Sequence, residues 1–149
     1  MKQITRNSLL MLIVAISFSF TYFGGEGFEI SLNNKVIIQQ FGEEINKAQR
    51  IKLTPHSAND QLTVRYHHCG KISKDRVITF KNDQGKIVKT LRFADVNKPL
   101  AAMSCNVKDI LDLGSKNETV LNMYYTSSEL PAGRMLANIL VENYTLAKK

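Results

Sequence analysis

From residue 28 onward, apolar and polar residues alternate with a period of two, which is typical of β-strands that bury one face. Residues 28–32 and 35–41 alternate in this way on either side of Asn33-Asn34. Asn tolerates the positive φ angles of a two-residue hairpin turn, so the pattern predicts a β-hairpin. Pairing Leu32 with Lys35 then predicts one buried face made of Phe28, Ile30, Leu32, Ile37 and Phe41.

Four more strands are predicted from the same alternation. Two of them, at residues 50–54 and 62–66, are separated by the turn sequence Pro-His-Ser-Ala-Asn-Asp. The last two, at residues 119–126 and 134–142, are separated by a loop at residues 127–133. Between these pairs the period changes, because Val107, Ile110 and Leu111 recur at helical spacing. Asn106 suits an N-cap and Gly114 suits a C-terminal stop, which predicts one short helix near residues 106–114.

A second hairpin is predicted where residues 76–81 and 86–93 flank Asn-Asp-Gln-Gly at 82–85. Aligning Phe80 with Ile87 predicts an inward face made of Ile78, Phe80, Ile87, Leu91 and Phe93. The outward face then carries Thr79, Lys81, Lys86, Thr90 and Arg92. Lys89 falls on the apolar side in this alignment, which indicates an irregular register or an irregular strand end.

Roughly eight short strands and one helix are best accommodated in two sheets packed face to face. We therefore predict an all-β fold: a two-sheet antiparallel β-sandwich, immunoglobulin-like in general architecture, with the short helix near residues 106–114. The sandwich is predicted as a single domain at residues 28–147. The chain contains no Trp, so the core Trp of immunoglobulin domains is missing, and a closed β-barrel is the alternative.

The first residues have the pattern of an export signal. Lys2 and Arg6 precede an uncharged apolar run at residues 9–20, which is shorter than the roughly 20 residues of a membrane-spanning helix. Residues 1–25 are predicted as a signal peptide, or as a membrane anchor if they stay attached. Ser17-Phe18-Ser19 and Gly25-Glu26-Gly27 are two candidate cleavage patterns. The predicted location is periplasmic, cell-surface or extracellular.

Export changes the interpretation of the only two cysteines, Cys69 and Cys105. Outside the cytosol an even number of cysteines most simply forms a disulfide, so a structural Cys69–Cys105 bridge is predicted. A metal site is the alternative, in which Cys69 joins His67, His68 and His56 as ligands. Four ligands at compact spacing are not apparent in this sequence, and no cofactor is predicted.

Charge is the main chemical feature of the sequence. The formal net charge is +7, and residues 65–92 contain eight basic side chains against two acidic ones. Lys81, Lys86 and Arg92 on the outward face of the second hairpin are predicted to attract polyanions such as surface glycans, lipopolysaccharide or anionic lipid headgroups. A solvated strand face is the alternative. No nucleic-acid module is recognisable, and membrane contact is predicted only through the N-terminal segment.

Catalytic residues can be proposed only as scattered sets. His67 or His68 could be combined with Ser57 or Ser104 and with Asp60 or Asp95, but a triad is defined by geometry, which the sequence does not provide. No nucleophile elbow, paired-histidine zinc motif or phosphate-binding glycine loop occurs. The favoured prediction is an exported non-catalytic domain that binds a protein or an envelope or glycan component. The alternative is a small exported enzyme or metal-binding protein that uses His67 and His68.

Overall fold

The structure, a computed structural model, describes residues 25–114 and 119–142, and within them nine strands and one α-helix form. The strands are β1 (Gly27–Leu32), β2 (Lys35–Phe41), β3 (Gln49–Leu53), β4 (Gln61–His67), β5 (Val77–Lys81), β6 (Ile87–Arg92), β7 (Met103–Asn106), β8 (Thr119–Ser127) and β9 (Leu130–Val141). The helix, α1, is Val107–Leu111, and two 3₁₀ turns lie at Gly42–Asn46 and Pro55–Ser57.

Two sheets pack together, which confirms the predicted β-sandwich. One sheet has four strands in the order β2-β1-β4-β7, and the other has five in the order β3-β9-β8-β5-β6. The pairing of β3 with β9 is parallel, while the other pairs are antiparallel. This parallel pair departs from the predicted all-antiparallel arrangement. The chain changes sheets between β2 and β3, through the first 3₁₀ turn. β3 therefore lies beside β9 in the second sheet and not beside β2.

The core lies between the sheets and is formed by alternate residues of the strands, as the period-two pattern predicts. Phe80, Met123 and Tyr125 of the five-stranded sheet are fully buried. In the four-stranded sheet, Phe28 and Ile30 are at most 1% exposed. Burying such side chains stabilises the fold by roughly 1.5–3 kcal/mol each. The two buried residues of α1, Val107 and Ile110, add to the same core.

The β1–β2 hairpin forms where it was predicted, with both Asn33 and Asn34 at positive φ. Its register differs from the predicted one, because a β-bulge lies between Ile30 and Ser31. The extra residue moves Ile38 into the core and leaves Ile37 exposed, so the predicted inward position of Ile37 is wrong. A bulge reverses the alternation of every later side chain on its strand.

Phe41 was also predicted to face the core, and the same bulge places it on the outer face. There its ring covers the backbone of Gly27. A Cβ atom built at Gly27 would lie 1.9 Å from Cδ1 of Phe41 and 2.8 Å from the backbone oxygen of Gln40. This close approach requires glycine at the start of β1.

The last hairpin is tighter than predicted. β8 ends at Ser127 and β9 begins at Leu130, so residues 130–133 extend β9 and do not form a loop. The predicted loop contains Pro131, but Pro is tolerated at the first residues of a strand. A turn of only two residues, Ser128 and Glu129, therefore joins β8 to β9.

Residues 1–24 of the predicted leader (1–25) and residues 143–147 at the end of the predicted domain lie outside the described residues. In residues 25–114 and 119–142, no helix is long and apolar enough to cross a membrane.

Candidate functional site

The outer face of the five-stranded sheet carries a row of side chains that crosses all five strands. The register pairs Arg50 with Asn138, Asn138 with Asn122, Asn122 with Lys81, and Lys81 with Ile87. Residues paired in this way point to the same face. With strands about 4.8 Å apart, the Cα atoms of Arg50 and Lys81 are separated by about 14 Å. Two cations therefore flank a pair of amides.

Neighbouring rows extend this surface in both directions. On one side the register aligns Lys52, Leu140 and Val120, and Val120 is exposed. On the other side Arg92 pairs with Val77, which lies four residues before Lys81 on the same face of β5. We call the outer face of the five-stranded sheet the basic face, defined by its cations Arg50, Lys52, Lys81 and Arg92.

The polar groups at the centre of the basic face hold each other in place. Asn138 donates a hydrogen bond from Nδ2 to Oδ1 of Asn122 over 2.5 Å. The ammonium of Lys81 lies 4.4 Å from the centroid of the Tyr124 ring, a cation–π contact that orders the lysine without neutralising its charge. At one edge Nζ of Lys52 is 2.6 Å from Oε1 of Glu142, and both side chains are substantially exposed. The other cations of the face thus remain available to an external anion.

Three cations of the β5–β6 hairpin were predicted to bind polyanions. Two of them, Lys81 and Arg92, lie on the basic face. Lys86 lies in the turn of this hairpin, where its backbone nitrogen donates to Oδ1 of Asn82 over 2.8 Å. Other basic residues of the sequence cluster are engaged elsewhere. Arg65 is 3.0 Å from Glu29 on the other sheet, and the buried guanidinium of Arg76 donates to two backbone carbonyls. The predicted cluster is therefore divided between surface cations and structural ones.

The register of this hairpin differs from the predicted one. Phe80 pairs with Lys89 and Lys81 with Ile87, so Val88 is an extra residue in a β-bulge. The pairing with buried Phe80 confirms that Lys89 lies on the apolar side of the strand. Ile87 was predicted to face the core and is instead 57% exposed, because the bulge turns it to the outer face.

The predicted Cys69–Cys105 disulfide does not form. Both cysteines are free thiols, Cys69 exposed and Cys105 half-buried. Cys105 pairs with Leu62 near the start of β4, whereas Cys69 follows the far end of the same strand. At about 3.3 Å per residue the two positions are roughly 20 Å apart, and a disulfide needs Cα atoms within about 7 Å.

The histidines of the proposed metal site point in different directions. Nδ1 of His67 lies 2.9 Å from the carbonyl oxygen of Gly25 on the outer side of β4, whereas His68 is buried between the sheets. His56 lies in the 3₁₀ turn before β4, at the opposite end of that strand. No group of three or more His, Cys, Asp or Glu side chains in the described part of the chain is arranged to hold a metal ion.

A buried polar network surrounds His68 at one end of the sandwich. Oε1 of Glu26 accepts a hydrogen bond from the Tyr66 hydroxyl over 2.8 Å, and Oε2 accepts one from Arg134 over 3.0 Å. Nε2 of His68 shares a 3.0 Å hydrogen bond with the Tyr125 hydroxyl. The Tyr66 and Tyr125 rings stack with centroids 4.5 Å apart. The network joins β1, β4, β8 and β9, and so ties the two sheets together.

Burial shifts the pKa values of two groups in this network, His68 and Tyr66. It lowers the pKa of His68, with the charge of Glu26 opposing the shift, because a desolvated imidazole resists protonation. Burial also raises the pKa of Tyr66, and the hydrogen bond to Glu26 raises it further. At neutral pH the imidazole of His68 and the phenol of Tyr66 are therefore both neutral.

The network includes a serine, a histidine and a carboxylate, of which only the histidine, His68, was considered from the sequence. Oγ of Ser127 is 3.4 Å from Nε2 of His68, and Oε1 of Glu26 is 3.9 Å from Nδ1. His68 is only 6% exposed and Ser127 only 5%. The adjoining cavity beside Tyr66 and Tyr125 holds about 10 Å³, barely enough for one water molecule. Since a substrate needs access to the nucleophile, we interpret the network as structural.

The serines and aspartates considered from the sequence have other partners. Ser57 closes a capping box with Thr54, and the hydroxyl of Ser104 lies 2.8 Å from that of Thr63. Asp60 accepts from Asn33, and Asp95 accepts from the backbone of Asp75. In these contacts each residue stabilises a local turn or strand.

The fold and its surface define a β-sandwich domain with one strongly basic sheet face. No protein-family model matches the chain, and a search of curated proteins finds no match.

Proposed function

We propose that this chain is an exported, non-catalytic β-sandwich domain that binds an anionic component of the cell envelope through the basic face. The observation that carries this proposal is the row from Arg50 to Lys81, in which cations flank the amides of Asn122 and Asn138. Cations attract an anionic ligand over a distance, and amides add short-range hydrogen bonds to it. The row is assembled from four strands, so the ligand would meet a rigid surface.

The extent of the basic face supports an extended ligand, because its cations are spread over β3, β5 and β6. A polyanion can contact several cations of a sheet face at once, and each neutralised contact adds to affinity in a salt-dependent way. Tyr124 adds one aromatic ring beside Lys81. A single ring is a poor platform for nucleic-acid bases, which usually stack on several aromatic side chains. The basic face therefore favours an acidic glycan or lipid headgroups over nucleic acid.

The position of Glu26 bears on the proposed export. Cleavage after Gly27 would remove Glu26 and leave Arg134 and Tyr66 without their carboxylate partner. The Arg134 side chain is only 17% exposed and Tyr66 is buried, so losing this partner would destabilise the fold. If the leader is cleaved, the earlier pattern at Ser17-Phe18-Ser19 is the favoured one, since it keeps the network intact.

Charge reversal tests the proposal. The variant R50E/K81E/R92E, which reverses three cations of the basic face, should lose its salt-sensitive retention on a sulfated polysaccharide resin. The matched control K74E/K98E/K108E changes the net charge equally, but replaces exposed lysines outside the basic face.

The comparison separates a specific face from general charge. We expect the control to elute close to the unmodified protein and the test variant to elute at much lower salt. Equal losses in the two variants would show that only the net charge matters, and unchanged retention of the test variant would remove the basic face as the site. Thermal unfolding of both variants verifies that the fold is retained.

A further inference from the structure

The tip of the β5–β6 hairpin combines aliphatic and basic side chains at the free edge of the five-stranded sheet. Every residue from Asp83 to Thr90 is exposed. Ile87 and Val88 are consecutive, and their exposed fractions are 57% and 37%. Two adjacent aliphatic residues are both exposed here because the β-bulge breaks the alternation between faces.

Lysines surround these two aliphatic residues. Lys86 precedes Ile87 and Lys89 follows Val88 along the chain, and Lys81 lies opposite Ile87 on β5. An edge strand with lysines is protected against pairing with a second, equally charged copy. The combination of exposed aliphatic groups with surrounding cations instead complements an anionic membrane surface, where cations meet headgroups and aliphatic groups enter the interface.

We infer that the anionic component bound by the basic face is the headgroup layer of a lipid bilayer, and that Ile87 and Val88 insert into this layer at the hairpin tip. The inference rests on the proposed function of the same face. Val120 and Leu140 extend the apolar surface next to Lys52, so the contact continues from the hairpin onto the sheet. Each lysine close to an anionic bilayer strengthens binding by roughly fivefold.

Vesicle binding tests this inference. The chain has no Trp, so co-sedimentation is preferable to fluorescence. The full chain is incubated with vesicles of phosphatidylcholine alone, or of phosphatidylcholine mixed with phosphatidylglycerol. The measured quantity is the increase in partitioning caused by the anionic lipid, which separates the basic face from any apolar affinity of residues 1–24.

The variant I87S/V88S should bind the mixed vesicles about tenfold or more weakly than the unmodified protein, because aliphatic groups are removed from the interface. Its retention on the sulfated polysaccharide resin should not change, since no charge is altered. The matched control V36S/I37S replaces two exposed aliphatic residues of another edge strand, β2, and should bind vesicles like the unmodified protein.

The other outcomes distinguish the inference from the proposed function. If I87S/V88S binds anionic vesicles as tightly as the unmodified protein, the inserted hairpin is wrong while the basic face stands. If the unmodified protein prefers the resin and shows no preference for anionic vesicles, its ligand is an acidic glycan and the inference is overturned. If neither surface retains the protein, both the inference and the proposed function fail.

Discussion

The hydroxyl of Tyr125 provides a sharp test of the buried network, because its removal changes no apolar contact. In the variant Y125F the ring stays stacked on Tyr66. The hydroxyl is lost from its positions 3.0 Å from Nε2 of His68 and 3.3 Å from Oγ of Ser73. The imidazole remains buried, and its nearest polar neighbour is then Oγ of Ser127 at 3.4 Å.

The size of the effect follows from these contacts. A hydrogen bond contributes a net of about 0.5–1.5 kcal/mol, and a buried polar group left without a good partner costs about 1–3 kcal/mol. We therefore expect Y125F to lower the free energy of unfolding by about 1.5–3 kcal/mol. For a domain of this size, each kcal/mol corresponds to roughly 4 °C in Tm.

Urea unfolding measures this difference in the free energy of unfolding. The preceding residue on the strand, Tyr124, supplies the control. Tyr124 lies on the basic face, half-buried, with its ring next to Lys81. Y124F removes the same atom from the outer face and should change stability by less than about 0.5 kcal/mol. If Y125F is as mild as Y124F, the network does not tie the sheets together as described.

Two further predictions concern pH and thiol chemistry. Burial lowers the pKa of His68 from its ordinary value of 6.5, so the unfolded chain takes up a proton near pH 6.5 that the folded chain does not. The free energy of unfolding should therefore fall as the pH decreases below about 6.5, by at most about 1.4 kcal/mol per pH unit. Urea unfolding at pH 7.5 and 5.5 measures this loss, which should be smaller in H68Q; an equal loss in the two proteins would contradict it. For the thiols, burial and the charge of Asp109 raise the pKa of Cys105 to about 11, whereas Cys69 is exposed. An alkylating reagent should label one thiol in the folded protein and two after unfolding without reductant. Mass spectrometry counts the labels. An unfolded, unreduced sample that carries no label would show that the cysteines are bridged.

Much of the fold could be predicted from alternation alone. The β1–β2 hairpin, the short helix after Cys105 and the pairing of Lys89 with an apolar position all follow from local sequence. The positions of the bulges could not be predicted: Lys89 indicated an irregular register in the second hairpin, but the local pattern does not show which residue is extra. The bulges turned expected core residues to the outer faces, namely Ile37 and Phe41 on β2 and Ile87 on β6.

The candidate site could be predicted only in part, for a related reason. Lys81 and Arg92 were recognised because both lie in one hairpin. Arg50 and Lys52 alternate with buried Ile51 and Leu53, so their outward direction was visible in the sequence. What the sequence did not show is that β3 joins the same sheet as β5 through β9 and β8. That long-range pairing alone brings the two groups of cations onto one face.

The disulfide prediction failed because spacing along the chain says little about distance in space. Cys69 and Cys105 are brought to opposite ends of β4 by the pairing of β7 with the start of that strand. The buried network was missed for the same reason. Glu26, His68 and Tyr125 come from three distant parts of the sequence and meet only in the folded sandwich.

The most direct test of the basic face is to map a bound anion residue by residue. Backbone amide chemical shifts of isotope-labelled protein are recorded while a sulfated oligosaccharide is added. The largest changes should fall on the row of Arg50, Asn138, Asn122 and Lys81, and they should disappear at high salt. Changes concentrated on the outer face of β1, β2, β4 and β7 would contradict the proposed site, as would a titration that shifts no amide of the five-stranded sheet.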